Sequence, residues 1–212
     1  MKSEKLKMKS ERQILFIFSF SLLAFHKKMF SFQIDKNLKL TLSQQHHAEE
    51  ITKVVLENLD QLKLWMPWAK DDYSIDSARE FIKRNLTEYA ENGSFSASII
   101  LDEAFVGGVG FHNLDLKNKS AHIGYWLAKD AQGKGIMTRC CRILFDYLFN
   151  EVGLNRIQIN CNIENAKSRA IPERLGFQLE GIHRQVEWLH NEFRDWAIYA
   201  MLAEEWRLVD SG

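Results

Sequence analysis

The chain has 212 residues, of which 46% are hydrophobic and 26% are charged, and this balance is typical of one folded domain with its own core. Its formal net charge is zero, but residues 1–28 contain seven basic and two acidic side chains, so the rest of the chain has 21 basic and 26 acidic ones. A mildly acidic body argues against a nucleic-acid partner and is compatible with a cationic substrate.

The first 28 residues combine basic side chains with one apolar run at residues 14–25. Lys27 and Lys28 follow the run directly and no small-x-small cleavage site ends it, which argues against a signal peptide. Twelve helical residues would reach about 18 Å, short of a bilayer core of roughly 30 Å, so we expect no membrane partner. We interpret residues 1–28 as an N-terminal extension upstream of a natural start at Met29, and residues 29–212 as the domain. An intact mass of the native protein that includes residues 1–28 would contradict this.

In chain order, the body begins with strand-like alternation at residues 38–42, helical spacing from 51 to 62 and a rigid aromatic loop at 65–68. Ser77 and Glu80 fit a capping box that opens a second helix. Three strands, an amphipathic helix, a strand, a short helix and two strands follow, at residues 95–101, 104–111, 120–127, 136–148, 156–161, 166–174, 177–187 and 193–202. This order predicts one mixed α/β domain.

Three cysteines, Cys140, Cys141 and Cys161, lack the spacing of metal ligands, so we expect no metal site. Their odd number is typical of a reducing compartment, which favours the cytoplasm. The adjacent pair lies on the predicted helix, and we interpret both as small packing residues rather than nucleophiles.

A glycine-containing loop joins the strand at 120–127 to the next helix; it consists of Gln132, Gly133, Lys134, Gly135, Ile136, Met137 and Thr138. Two glycines at such a junction permit a tight turn and expose N–H groups at a helix start, where phosphate binds. A Walker loop is excluded because Ala128 replaces its first glycine, and a dinucleotide fingerprint because Thr138 replaces its third. From this loop alone, an ordinary strand-to-helix turn remains an equal alternative.

A second segment, residues 165–177, decides between a phosphate site and an ordinary strand-to-helix turn at residues 132–138. Its terminal Leu-Gly-Phe is explained by a helix cap, but a cap does not explain Asn165 and Ser168 at their spacing after a strand. Together the two segments resemble the GNAT N-acetyltransferases, whose acetyl-CoA loop reads Gln/Arg-x-x-Gly-x-Gly/Ala; Met137 departs at the last position. The segments 65–68, 124–127, 132–138 and 194–199 are similar to the RimJ/RimL-like ribosomal-protein branch.

The resemblance covers nearly everything after residue 30. It implies a single α/β domain whose mixed central sheet is splayed between the fourth and fifth strands, 120–127 and 156–161, with flanking helices. Acetyl-CoA would be the co-substrate, with its pantetheine between these strands on main-chain groups of Tyr125, Trp126 and Leu127 and on Asn165. Its pyrophosphate would lie on the loop at 132–138, with Lys134 or Arg139 adding charge at the rim. We infer that Met137 supplies only its backbone N–H, so its side chain must point into the fold.

Direct transfer to an amine requires a base, an oxyanion donor and a proton for the leaving thiolate. The resemblance implies a main-chain N–H near Leu127 as the oxyanion donor and Glu187 as the base, although a solvated strand-end glutamate is the alternative. Many GNAT enzymes have a tyrosine where this chain has Pro172. In the RimL-type branch, a serine that matches Ser168 protonates the thiolate, and a helix-start hydrogen bond is the alternative.

The acceptor pocket is predicted to contain Trp65, Trp68 and His112 beside Glu187. The two tryptophans are as easily packing anchors, and His112, past the end of strand 104–111, as easily a surface residue. The leading hypothesis is a cytoplasmic acetyltransferase acting on the N-terminal α-amine of a ribosomal or similar protein. A small-amine acetyltransferase for polyamines or aminoglycosides, and a CoA-binding regulatory domain without turnover, are the alternatives. A homodimer is common in the family, and the oligomeric state is left open.

Overall fold

The computed structural model describes residues 31–210, so the predicted extension and Met29 lie outside it. Eight strands within these residues form one sheet in the order β1-β2-β3-β4-β5-β6-β8-β7. Their bounds are Ser31–Gln33, Leu38–Leu42, Phe95–Leu101, Ala104–Asp115, Ser120–Leu127, Arg156–Asn162, Gln178–Leu189 and Glu192–Leu202 for β1 to β8. Helices α1 to α6 span Ala48–Glu57, Leu59–Lys63, Ile75–Asn92, Ile136–Asp146, Ala166–Arg174 and Ala203–Asp210.

The sheet opens between β5 and β6, its one parallel pair among the described strands. Pairing of β5 with β6 stops at Ile123 and Ile159. Beyond that point, β5 stays paired with β4 as far as Leu127, and β6 stays paired with β8 as far as Asn162. The two half-sheets therefore diverge over the last residues of β5 and β6, which confirms the predicted splay.

Helices cover both faces of the sheet. Ile99 and Ile100 are consecutive on β3, so they point to opposite faces, and they belong to separate hydrophobic clusters. The first cluster contains α4, with Met137, Cys140 and Cys141 all buried, which confirms the inward Met137 and the packing role of the cysteine pair. Burial raises the pKa of the Cys140 thiol to about 12, so it stays protonated at neutral pH.

Several predicted boundaries were wrong. Helix α3 is capped at Ser74 rather than Ser77, so Ser77 is the third helical residue. The Ser74 N–H donates a hydrogen bond to Ser77 Oγ at 3.2 Å. Strand β4 continues to Asp115, which places His112 inside the strand. Strand β1 and helix α6 were not predicted; α6 is held by Trp206, which is buried and donates its indole N–H to Asp146 Oδ1 at 2.7 Å.

His112 lies opposite His122 on β5, with ring centroids 5.8 Å apart. Loss of hydration, and then the neighbouring His122, lower the pKa of His112; loss of hydration, and then Arg156, lower the pKa of His122. Because protons bind these rings less well in the folded state than in the unfolded chain, their contribution to stability is full above about pH 6.5 and is lost as the pH falls below it.

We therefore expect the melting temperature to fall between pH 7.5 and 5.5, and to fall less in a His112→Gln/His122→Gln variant. Thermal unfolding of both proteins at the two pH values measures this. An equal fall in both would contradict it.

No helix within residues 31–210 is long and apolar enough to cross a membrane.

Candidate active site

A groove of about 1380 Å³ runs along the opening between β5 and β6. Its walls come from the end of β5, the loop before α4, the start of α5 and the segment after α2. Of the predicted site residues, the structure brings together the loop residues, Tyr125, Trp126, Leu127, Asn165, Ser168 and Trp65. Within residues 31–210, no three His, Cys, Asp or Glu side chains are grouped to hold a metal ion.

The loop before α4 is shaped by two glycines in the left-handed region, Gly133 with φ +73° and Gly135 with φ +70°. A Cβ added at either would meet nothing within 4 Å, so glycine is required for its backbone conformation rather than for space. Gly135 caps α4, whose first backbone bond runs from the Arg139 N–H to the Gly135 carbonyl at 3.1 Å. Residues 136–138 line the groove and precede that bond, so their N–H groups lack a partner within the helix, as is typical of a helix start that can bind an anion.

Side chains anchor this loop to the end of β5. Gln132 donates from Nε2 to the Leu127 carbonyl at 3.0 Å, and Lys167 donates from Nζ to Gln132 Oε1 at 2.9 Å. Gln132 therefore holds the loop in place, whatever it contributes to a ligand. The ion pair between Arg139 and Asp35 compensates the charge of Arg139. Lys134, in the loop itself, is exposed.

Tyr125 bridges the opening. Its hydroxyl donates to the Ser168 carbonyl at 2.9 Å and lies 4.0 Å from Cys161 Sγ. Burial raises the Tyr125 pKa well above its usual value, so the phenol stays neutral.

Asn165 and Ser168 divide two roles at the start of α5. Asn165 Oδ1 accepts the Ser168 N–H at 3.0 Å and so caps the helix. The Ser168 hydroxyl takes no part in that cap and lies 3.2 Å from Cys161 Sγ, at the opening. Pro172 is buried within α5.

Glu187 is half-buried on β7, outside the groove lining. Its Oε2 accepts the Trp196 indole N–H at 3.0 Å, and it lies directly opposite Arg194 on β8. Arg194 is ion-paired with Glu164, which does line the groove. Arg194, the cross-strand neighbour of Glu187, is thus the residue that contacts the groove wall.

Asp195 on β8 forms a hydrogen bond across the last two strands. Gln185 has φ +53° at an irregular stretch of β7, and its N–H donates to Asp195 Oδ1 at 2.7 Å. The tip of this hairpin contacts α2, since His190 Nε2 lies 2.7 Å from the Lys63 carbonyl oxygen. This contact positions the hairpin near the segment that carries Trp65.

Trp68 and His112 lie apart from the groove lining. Trp68 is 41% exposed and packs against Trp126 and Tyr73, with ring centroids 5.9 and 6.0 Å away. These contacts favour the packing interpretation of Trp68. His112 is exposed on β4, which favours its interpretation as a surface residue.

Among the groove residues that were not predicted from the sequence, Lys167 and Arg174 contact the loop. Arg174 donates from Nη1 to Thr138 Oγ1 at 2.9 Å, which brings the end of α5 to the last residue of the loop. Each lies more than 30 positions from its partner, so no local pattern indicated either contact.

Comparison with known proteins agrees with this geometry. The profile of the acetyltransferase (GNAT) domain family matches residues 37–178. YdaF of Bacillus subtilis (strain 168), provisionally named a ribosomal N-acetyltransferase, is 36% identical over 179 residues, which cover 84% of this chain and 98% of YdaF. The ribosomal-protein-serine acetyltransferase of Escherichia coli (strain K12) is 26% identical over 179 residues, covering 84% and 97%.

A solved structure shares the fold. RimL, a ribosomal L7/L12 α-N-protein acetyltransferase in complex with coenzyme A, has a TM-score of 0.78 and 26% identity, covering 81% of this chain and 97% of its own. The family profile spans the loop, the opening and α5, and the likeness to YdaF spans most of the chain. This protein therefore belongs to the GNAT acetyltransferase family.

Proposed function

We propose that this acetyltransferase transfers acetyl directly from acetyl-CoA to the N-terminal α-amine of a protein, most consistently a ribosomal one. The observation that carries the proposal is the groove itself, which extends from the first N–H groups of α4, after two left-handed glycines, to the opening beside Ser168. The names of the relatives supply the acceptor class: one modifies a ribosomal-protein serine, and another is an α-N-protein acetyltransferase with coenzyme A bound.

In this proposal, the pyrophosphate binds the amides of the loop, where the dipole of α4 also favours negative charge. The pantetheine lies in the opening against main-chain groups of Tyr125 to Leu127, with the Asn165 amide nitrogen on the other wall. A backbone N–H near Leu127 stabilises the oxyanion. Trp65 lines the groove, and in this proposal it lies at the end that receives the acceptor amine.

The acceptor class also fits the acid–base chemistry. Neutralising an α-amine of pKa about 8 costs roughly 1.4 kcal/mol at pH 7, whereas a lysine of pKa about 10.4 costs roughly 4.6 kcal/mol. One carboxylate acting through water suffices for the former. We assign this role to Glu187, which accepts a hydrogen bond from Trp196 and lies opposite Arg194, the ion-pair partner of Glu164 on the groove wall.

We assign protonation of the leaving thiolate to Ser168, whose hydroxyl lies at the opening and is not used to cap α5. Ser168→Ala should lower kcat about 10-fold and leave CoA affinity unchanged, because a thiol of pKa near 8.5 is already a tolerable leaving group. Steady-state kinetics with a titration of CoA separates the two quantities. A loss of CoA affinity without a loss of kcat would assign Ser168 to binding instead.

The acceptor is tested by a thiol-release assay with acetyl-CoA and a panel of Ser-initiated and Ala-initiated peptides, polyamines and aminoglycosides. We expect turnover on the peptides and loss of that turnover when their N-terminus is blocked. Turnover on small amines alone would overturn the protein acceptor. CoA binding without turnover on any member would favour a regulatory domain.

A further inference from the structure

The groove has a charge opposite to that of the body around it. Five cationic side chains line it, and Glu164 is the acidic one among the described residues; the cations are Lys129, Lys134, Arg139, Lys167 and Arg174. Outside residues 1–28, by contrast, acidic side chains outnumber basic ones. A cationic groove in an acidic body is suited to an anionic ligand.

Most of these five cations already have a side-chain partner or lie on the side of the groove that the loop at residues 132–138 forms. Arg139 is paired with Asp35, and Lys167 donates to Gln132. Of the two arginines, Arg174 is the one without an acidic partner: its guanidinium contacts the Thr138 hydroxyl and forms no ion pair with a carboxylate of residues 31–210. A guanidinium has five N–H donors, so the contact with Thr138 leaves donors for a ligand in the groove.

The position of Arg174 along α5 indicates which part of a ligand it meets. Ser168 lies at the opening, and Arg174 lies six residues further along the same helix, about 9 Å away. Thr138, to which Arg174 bonds, is the last residue of the loop. A ligand with its thioester at the opening and its pyrophosphate on the loop amides would therefore extend its nucleotide end toward Arg174.

We propose that Arg174 binds the 3′-phosphate of coenzyme A and makes the enzyme select coenzyme A over its dephosphorylated form. This inference rests on the proposed use of acetyl-CoA and is independent of the acceptor. Arginine is suited to the task because its planar fork makes paired, charge-assisted hydrogen bonds to phosphate oxygens.

The test is calorimetric titration of the full chain with CoA and with dephospho-CoA, for which no acceptor is needed. Wild type should bind CoA about 10-fold or more tightly than dephospho-CoA, the range expected for charge-assisted bonds. In Arg174→Met this ratio should fall below about 2-fold, through loss of CoA affinity alone. Arg174→Lys should retain part of the ratio, since the charge remains without the fork.

Lys83→Met is the matched control, because Lys83 is exposed on α3, away from the groove, and the variant loses the same charge. Its ratio should equal that of wild type, and thermal unfolding checks that each variant is folded. An equal loss of affinity for both ligands in Arg174→Met would assign Arg174 to the pyrophosphate and overturn the proposal, as would an unchanged ratio. If neither ligand binds wild type, the proposed function fails as well.

Discussion

Glu187→Gln should lower kcat on a Ser- or Ala-initiated peptide by about 100-fold at pH 7, the lower end of the range for a general base. Affinity for CoA should be unchanged, because Glu187 lies outside the groove lining. The fold should also be kept, since the glutamine oxygen can still accept the Trp196 indole N–H that Glu187 accepts at 3.0 Å. Steady-state kinetics and CoA titration measure the two effects.

The loss should shrink as the pH rises. An α-amine of pKa about 8 is mostly protonated at pH 7 and mostly neutral at pH 9, so the base is needed less at the higher pH. Glu192→Gln is the matched control: Glu192 lies on the same hairpin and is paired with Arg194, and we expect its variant to stay within about 3-fold of wild type at both pH values. A Glu187→Gln profile parallel to that of wild type across this range would remove Glu187 from the base role.

Gly135→Ala should weaken CoA binding about 10-fold or more, because the alanine disfavours the left-handed backbone that aims the first N–H groups of α4. The same strain should lower folding stability by about 1–2 kcal/mol, or roughly 2–8 °C in melting temperature. Calorimetric titration with CoA and thermal unfolding give the two numbers.

Gly153→Ala separates the effects. Gly153 has φ +76°, and a Cβ added there also meets nothing within 4 Å, but it lies outside the groove lining. We expect a similar loss of stability and an unchanged affinity for CoA. Equal CoA affinities in the two variants would contradict the phosphate site at the loop.

Features that depend on local spacing were predicted well. The positions of Gly133 and Gly135 between a strand and a helix predicted the left-handed turn, because few other residues adopt that conformation. The interpretation of Cys140 and Cys141 as packing residues of the predicted helix agrees with the burial of both on α4. Cap and strand ends were less certain: Ser74 and Ser77 both suit a helix start, and β4 continues for four residues past its last glycine-rich, apolar stretch.

The roles of side chains around the groove depended on contacts between distant segments. Ser168 had two interpretations, and only the observed cap by Asn165 shows that its hydroxyl is directed to Cys161 instead. Trp65 and Trp68 are three residues apart in one loop, yet Trp65 lines the groove while Trp68 packs against Trp126. The sequence alone does not distinguish the two tryptophans, because the direction of each side chain depends on how the loop packs against Trp126 of β5.

Short motifs in the amino-acid sequence carried the resemblance to the family, and regular spacing of residue types predicted the order of most elements between residues 38 and 202 and the loop at residues 132–138. The tertiary structure alone decided that Lys167 and Arg174 contact the two ends of that loop and that Arg194, opposite Glu187, is ion-paired with Glu164 at the groove. Such contacts form only when the β5–β6 opening, α5 and the β7–β8 hairpin pack together, and the energy of that packing is not encoded in any one segment.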